Sequence, residues 1–317
     1  MISVRNSVFI IAHVFMLLFC LVSNLLSQDG HLKNALQREY DLTLKYDFGD
    51  KDFYHIRTVY LEMNDTGKVA KTRLLDGGFS REVLRFKDSK RYDRFVWKHV
   101  KMGHKMGKSQ VRETKVLPYS RDFRYEFSEK DMTPERFPVD VTSIPKTMEG
   151  YNFFVKLIDA HTFDVISNFA NYEHGLSKIG QTAELPEQEL QGIIDFPPLF
   201  TDTHFAQAPI FTTFQGITLY EGEPCAMLAY RSDDSRIHMT ANMMDMKIPM
   251  DGTSYYWGEI LMSLQRRKIL RGTLFEHVVS ITNLGNPAKP IRNVIRREIT
   301  LEKVTQEEFE NFGRASF

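Results

Sequence analysis

The sequence is short of cysteine, of net charge and of catalytic signatures, and each shortage removes a class of protein. Two cysteines occur in 317 residues, Cys20 and Cys225. Cys20 lies in an N-terminal apolar run, so a chain cleaved after that run keeps Cys225 alone and forms no internal disulfide. Stability then has to come from burial or from a bound metal. Lys and Arg together number 41, as do Asp and Glu. That balance lacks the basic excess a nucleic-acid partner requires, so none is expected. Neither His-Glu-x-x-His nor Gly-x-Ser-x-Gly occurs, which removes the zinc-peptidase helix and the nucleophile elbow. Low-complexity tracts and clean internal repeats are missing too.

Long apolar runs are confined to one place. Arg5 precedes a stretch from Val8 to Leu26 broken only by His13, Ser23 and Asn24. Candidate cleavage points follow Ser23 and Ser27, so residues 1–27 read as a secretory signal peptide. Phe19 before Cys20 replaces the small residue of a lipoprotein signal. The expectation is an exported protein, periplasmic or extracellular. An uncleaved anchor, with membrane association, is the alternative.

What the remaining chain has in quantity is alternation. In "YDLTLKYDF", Tyr40, Leu42, Leu44, Tyr46 and Phe48 share one parity, the pattern of a half-buried strand. "FYHIRTVYLEM", "KVAKTRLL", "REVLRFK", "RFVWKHVKM", "QVRETKVL" and "DFRYEF" follow, separated by turn residues. Residues 28–135 therefore read as an antiparallel β meander. Pro134, Pro138 and Pro145 mark a boundary. Residues 136–317 read as a second β segment, with "YNFFVKL" as a strand and a helix near 159–170 capped by Asp159. Turn formers between Tyr172 and Phe205 predict a long loop covering the sheet. The fold class expected is mainly β: a large curved antiparallel sheet or incomplete barrel with one packed helix.

The hairpins "GITLYEGEPCAMLAYR" and "YYWGEILMSLQRRKILRGTLFEHV" each give a strand, a tight turn and a strand with aromatics in phase. Their rhythm resembles the curved half-barrels of periplasmic lipoprotein carriers (LolA-like folds). That resemblance implies a sheet wrapped around an apolar cavity. It carries no motif, and no functional residue transfers with it.

Three constellations are candidates for chemistry. "HMTANMMDMKIPM" places His238, Met244, Met246 and Met250 at one parity, and "HVKMGHKM" adds His99, Met102, His104 and Met106. Thioether and imidazole donors in an exported protein suit copper or another soft metal if the two clusters converge. The lysines around the second cluster disfavour a cation, and methionine serves equally well as adaptable apolar lining. "DAHTFD" offers His161 and Asp164 on one helical face, and "TDTHF" offers Asp202 and His204. These four are the weak candidates for a hydrolase. The third constellation is aromatic. Adjacent aromatics on a strand point to opposite faces, so a sheet this rich in them needs a helix, a second sheet or a ligand to cover it.

The favoured reading is a non-enzymatic protein that binds or presents an apolar small molecule or lipid in a β cavity. Phe214, Met244, Met246, Tyr255 and Trp257 would line the site, with His277 as a polar orienting contact. The copper protein and the hydrolase are the alternatives. No resident cofactor is favoured, and nothing in the pattern sets an oligomeric state.

Overall fold

The computed structural model describes residues 37–312 except 65, 89, 107–111, 134–135, 174, 244–245 and 283–289. The expected signal peptide and Met244 therefore lie outside the described residues. Thirteen strands form one antiparallel sheet: β1 (Lys51–Met63), β2 (Val69–Lys87), β3 (Lys90–Met106), β4 (Arg112–Leu117), β5 (Arg124–Phe127), β6 (Thr182–Leu185), β7 (Gln188–Gln191), β8 (Phe200–Gln207), β9 (Ile210–Tyr220), β10 (Glu223–Met243), β11 (Met246–Ser263), β12 (Ile269–Thr282) and β13 (Ile291–Val304). Their order runs β4-β3-β2-β1-β13-β12-β11-β10-β8-β7, with β5 on β3 and β6 on β9. The order ends in free edges and does not close. The pairing of β1 with β13, from Phe53 opposite Val304 to Met63 opposite Val294, joins the N-terminal meander to the C-terminal hairpins in one sheet.

One long helix, α1 (Met148–Asn168), packs on one face of the sheet, and a short α2 (Gln306–Asn311) follows β13. Helix α1 starts eleven residues before the position expected from sequence. Its cap is Thr147, whose side chain accepts from the Gly150 amide, and Asp159 sits in its interior. "YNFFVKL", which reads as a strand, is the first half of this helix. Its apolar residues serve two neighbours: Phe153 packs on Trp97, and Phe154 stacks on Phe196. Two further expectations change. Residues 40–48 run extended outside the sheet, held by the Tyr40 amide to Ser177 and the Lys45 amide to Arg267. The segment from Tyr172 to Phe205 carries β6, β7 and the start of β8, and so extends the sheet where a covering loop was expected.

The strand pleat fixes which side chains meet α1. On β11, Ser254, Tyr256, Ile260 and Met262 are buried toward the helix, while Tyr255, Trp257, Glu259 and Leu261 point the other way. Two glycines allow close approach. A Cβ on Gly272 would lie 2.6 Å from the Phe163 ring, and one on Gly258 would lie 2.6 Å from the Tyr230 hydroxyl oxygen. The space between helix and sheet is filled by Phe153, Leu157, Phe163 and Lys156, each at most 1 % exposed.

Charge is buried in that layer as well. The Lys156 ammonium donates to the Thr58 hydroxyl at 2.7 Å and to the Leu75 carbonyl at 3.2 Å. One turn on, Asp159 accepts from Arg297 at 3.0 Å, and Arg297 also meets Glu276 at 2.6 Å. Further along, Arg81 bridges Asp93 and Asp164 and donates to the Tyr46 hydroxyl. These ties fix α1 on the sheet at both ends of its buried face.

Candidate functional site

A broad concavity lies on the sheet face away from α1. It is a half-open groove of about 880 Å³ over β6, β9, β10, β11 and β12. Strand register builds it in rows. Phe211 of β9 is opposite Arg231 of β10, Arg231 is opposite Trp257, and Trp257 is opposite Phe275 of β12. This gives a row across four strands, aromatic on three of them and interrupted by Arg231 on β10, with Trp257 and Phe275 stacked at 5.8 Å and Tyr255 leaning on Trp257 at 5.1 Å. The next row is polar and small: Thr182, Thr213, Ala229, Glu259 and Thr273. Leu261 and Arg271 face each other beyond it. A volume of this size accommodates a drug-sized or single-chain lipid-sized ligand.

Of the residues expected to line a site, Tyr255 and Trp257 lie in this groove. His277 stands on the same face at its end, opposite Tyr255 and edge-on to Trp257 at 5.3 Å. Its Nε2 is buried without a hydrogen-bond partner. Phe214 goes elsewhere. Its parity is opposite to that of Phe211 and Thr213 in an unbroken register, so the pleat turns it toward α1, where it is fully buried against Tyr40. Met246 is exposed near the tip of the β10–β11 hairpin, outside the groove. Phe211, Phe275, Arg231 and Arg271, which only the cross-strand register brings together, complete the lining.

The soft-metal clusters are separated by the sheet order. β3 and β11 have β2, β1, β13 and β12 between them, a span of roughly 24 Å at the usual strand spacing. Within the first cluster, the hairpin pairs His238 with Asp251 and Met239 with Met250. Met250 therefore shares a face with Met239 and packs beside Phe200 and Ile248, opposite to His238. His238 Nδ1 meets Asp251 at 2.7 Å. In the second cluster His99 packs on Phe312 on one face, while Met102 packs into the core on the other. His104 and Met106 are exposed toward the end of β3. Among the described residues no group of three or more His, Cys, Asp or Glu could hold a metal ion.

The hydrolase candidates are also parted. His161 is enclosed by aromatic rings, with Phe127 stacked at 3.7 Å and Tyr125 hydrogen-bonded to Nε2 at 3.0 Å. Burial first, then the positive field of Arg81 and Arg91, hold its pKa well below the ordinary histidine value. The ring is a neutral member of the core. Asp164, three residues on, belongs to Arg81 and Tyr46. Asp202 adopts a positive φ of 54°, and His204 pairs with Glu189 at 2.6 Å on the surface. His204 and His238 are cross-strand neighbours, a juxtaposition invisible from a separation of 34 positions.

No protein-family model matches the chain, and no curated protein matches it. Among solved structures it is similar to an outer membrane protein of Vibrio cholerae, OmpT in its trimer form. Identity is 9 % and the TM-score is 0.18, with 81 % of this chain and 100 % of that chain covered. A likeness at that score carries no argument. Among the described residues no helix is long and apolar enough to cross a membrane.

Proposed function

We propose that the chain is an exported, non-enzymatic binding protein that holds a lipid-like, largely apolar ligand in the groove over β9 to β12. The observation that carries this reading is the aromatic row of Phe211, Trp257 and Phe275 on the face α1 leaves uncovered. Tyr255 beside it is 42 % exposed. Aromatic surface of this extent in a concave site is the usual floor for an apolar ligand. The seat differs from the cavity enclosed by a wrapped sheet that the hairpin rhythm implies, because the space between sheet and α1 is already packed. Export rests on the N-terminal sequence, and the absence of a chemical role rests on how the catalytic candidates are used: His161 in the core, Asp164 in an ion pair.

Native mass spectrometry of residues 28–317, purified after export from the native host, tests the reading. The expected result is an excess mass of several hundred daltons, about the size of a single-chain lipid. It should disappear on organic extraction and be reduced in Trp257→Ala. A bare polypeptide mass, with no response of Trp257 fluorescence to added fatty acid or fatty alcohol, overturns it. An excess equal to a copper ion would instead favour the His and Met clusters.

A further inference from the structure

We infer that the groove selects an amphiphile with an anionic headgroup, which Arg231 and Arg271 bind while the chain lies along the aromatic row. This rests on the binding function proposed above and names the ligand class. Three charged residues line the groove: Arg231, Arg271 and Glu259. Glu259 stands opposite Ala229 on β10 and Thr273 on β12, so each arginine is two residues along a neighbouring strand from its partner position. Diagonal neighbours of this kind come within reach of long side chains. Neither arginine closes an ion pair with Glu259. Arg231 turns to Asp233, with Nε 3.9 Å from the carboxylate, and its side chain is 65 % exposed. The Arg271 Nε faces Glu302 at 3.6 Å, an ion pair too long for a hydrogen bond, and is buried without a hydrogen-bond partner.

Arg271 therefore carries a buried donor without a hydrogen bond beyond the polar row, while Arg231 stands exposed within the aromatic row, between Phe211 and Trp257, with Asp233 no nearer than 3.9 Å. An arginine fork is matched by carboxylate or phosphate oxygens. The lining carries two cations against one anion, so a negative headgroup complements it and a positive one does not. Threonine hydroxyls of Thr182, Thr213 and Thr273 form the small polar row beside the aromatic one, the kind of boundary a headgroup and chain need.

The test compares sub-micellar oleate with oleyl alcohol, which shares its chain and lacks the charge. Binding is read from Trp257 fluorescence, with Trp257→Phe giving the background from Trp97. Oleate should bind at least about fivefold more tightly than the alcohol, the scale of a partly exposed charge-assisted contact. The double variant Arg231→Gln/Arg271→Gln should remove that preference, so that oleate and the alcohol bind it about equally, while Glu259→Gln should tighten oleate. Equal affinities in the wild-type protein overturn the headgroup assignment and leave the apolar groove standing. Binding of neither probe removes both. Since the wild-type comparison needs no substitution, a misfolded variant cannot decide the outcome.

Discussion

At the scale of single residues, two buried bases should write opposite ends of the stability profile. Burial lowers the Lys156 pKa to about 7, with Asp159 and Asp76 opposing the shift. An unfolded lysine titrates near 10.4, so between about pH 7 and pH 10 the unfolded chain binds the extra proton and stability rises with pH. Urea unfolding of wild type against Lys156→Met should show wild type gaining up to about 2 kcal/mol relative to the variant from pH 7 to pH 9. A parallel pair of profiles would show that the amine is solvated. His161 acts on the acid side. Its folded pKa lies well below the ordinary histidine value, so as pH falls below about 6.5 the unfolded chain takes up a proton the folded one refuses. Stability is lost there. His161→Phe keeps the ring stack and drops the titrating group; the loss between pH 6.5 and pH 5 should shrink relative to wild type. Neither residue needs a ligand to explain its placement. An Asp-x-His-x-x-Asp spacing looks the same in sequence whether it is solvated or, as here, divided among Arg297, Tyr125 and Arg81.

At the scale of elements, helix α1 depends on glycine opposite its largest contact. Gly272→Ala would put a methyl carbon into the Phe163 ring, so denaturation should show a loss of about 1–3 kcal/mol. Adding Phe163→Leu should recover part of it, a coupling that a purely local strand effect would not produce. The segment around Tyr46 makes a second case. Its ring lies under Arg81, Arg91 and Lys268 at 4.4, 3.9 and 4.3 Å. Tyr46→Ala should free residues 40–48 for limited proteolysis before the sheet is cut, and unchanged cleavage would show that the backbone bonds suffice. This segment also shows where period two misleads. Tyr40 to Phe48 alternates as a strand does, yet no neighbouring edge pairs with it. Alternation reports a surface half in contact, and pairing is decided elsewhere. The reverse error occurred in "YNFFVKL", where β-favouring residues fold as helix because Thr147 caps them and both faces of the turn find aromatic partners. The strands of the long hairpins were legible because their turns are. Trp257 and Tyr255 could be chosen for the site on parity, but Phe211, Arg231, Arg271 and Phe275 could not. Their meeting depends on the register of β9 to β12, which sequence alternation does not set.

At the scale of the whole molecule, the question is whether the sheet unfolds as one body or as two halves. Among the described residues the strand pairing that joins its two halves is β1 on β13, with Lys303 and Lys268 reaching Asp52 across it, and such a seam could open first. The helix argues otherwise. Lys156 reaches Thr58 on β1, Asp159 reaches Arg297 on β13, Phe163 covers Gly272 on β12, and Asp164 holds Arg81 on β2. Opening the seam would strand those charges in the interior without partners, at several kcal/mol each time a buried pair is broken. The two tryptophans report the two sides: Trp97 on β3 and Trp257 on β11. Single-tryptophan variants, Trp97→Phe and Trp257→Phe, should each give a fluorescence transition in urea that coincides with the loss of backbone circular dichroism in the same variant. If Trp257 moves at lower denaturant than the backbone signal while Trp97 coincides with it, the C-terminal hairpins are a separable unit. The groove would then be a local, low-stability site, and a ligand seated there would delay only the Trp257 transition. Coincidence in both variants means that the same ligand, bound to β9 to β12 alone, raises the midpoint of the entire fold.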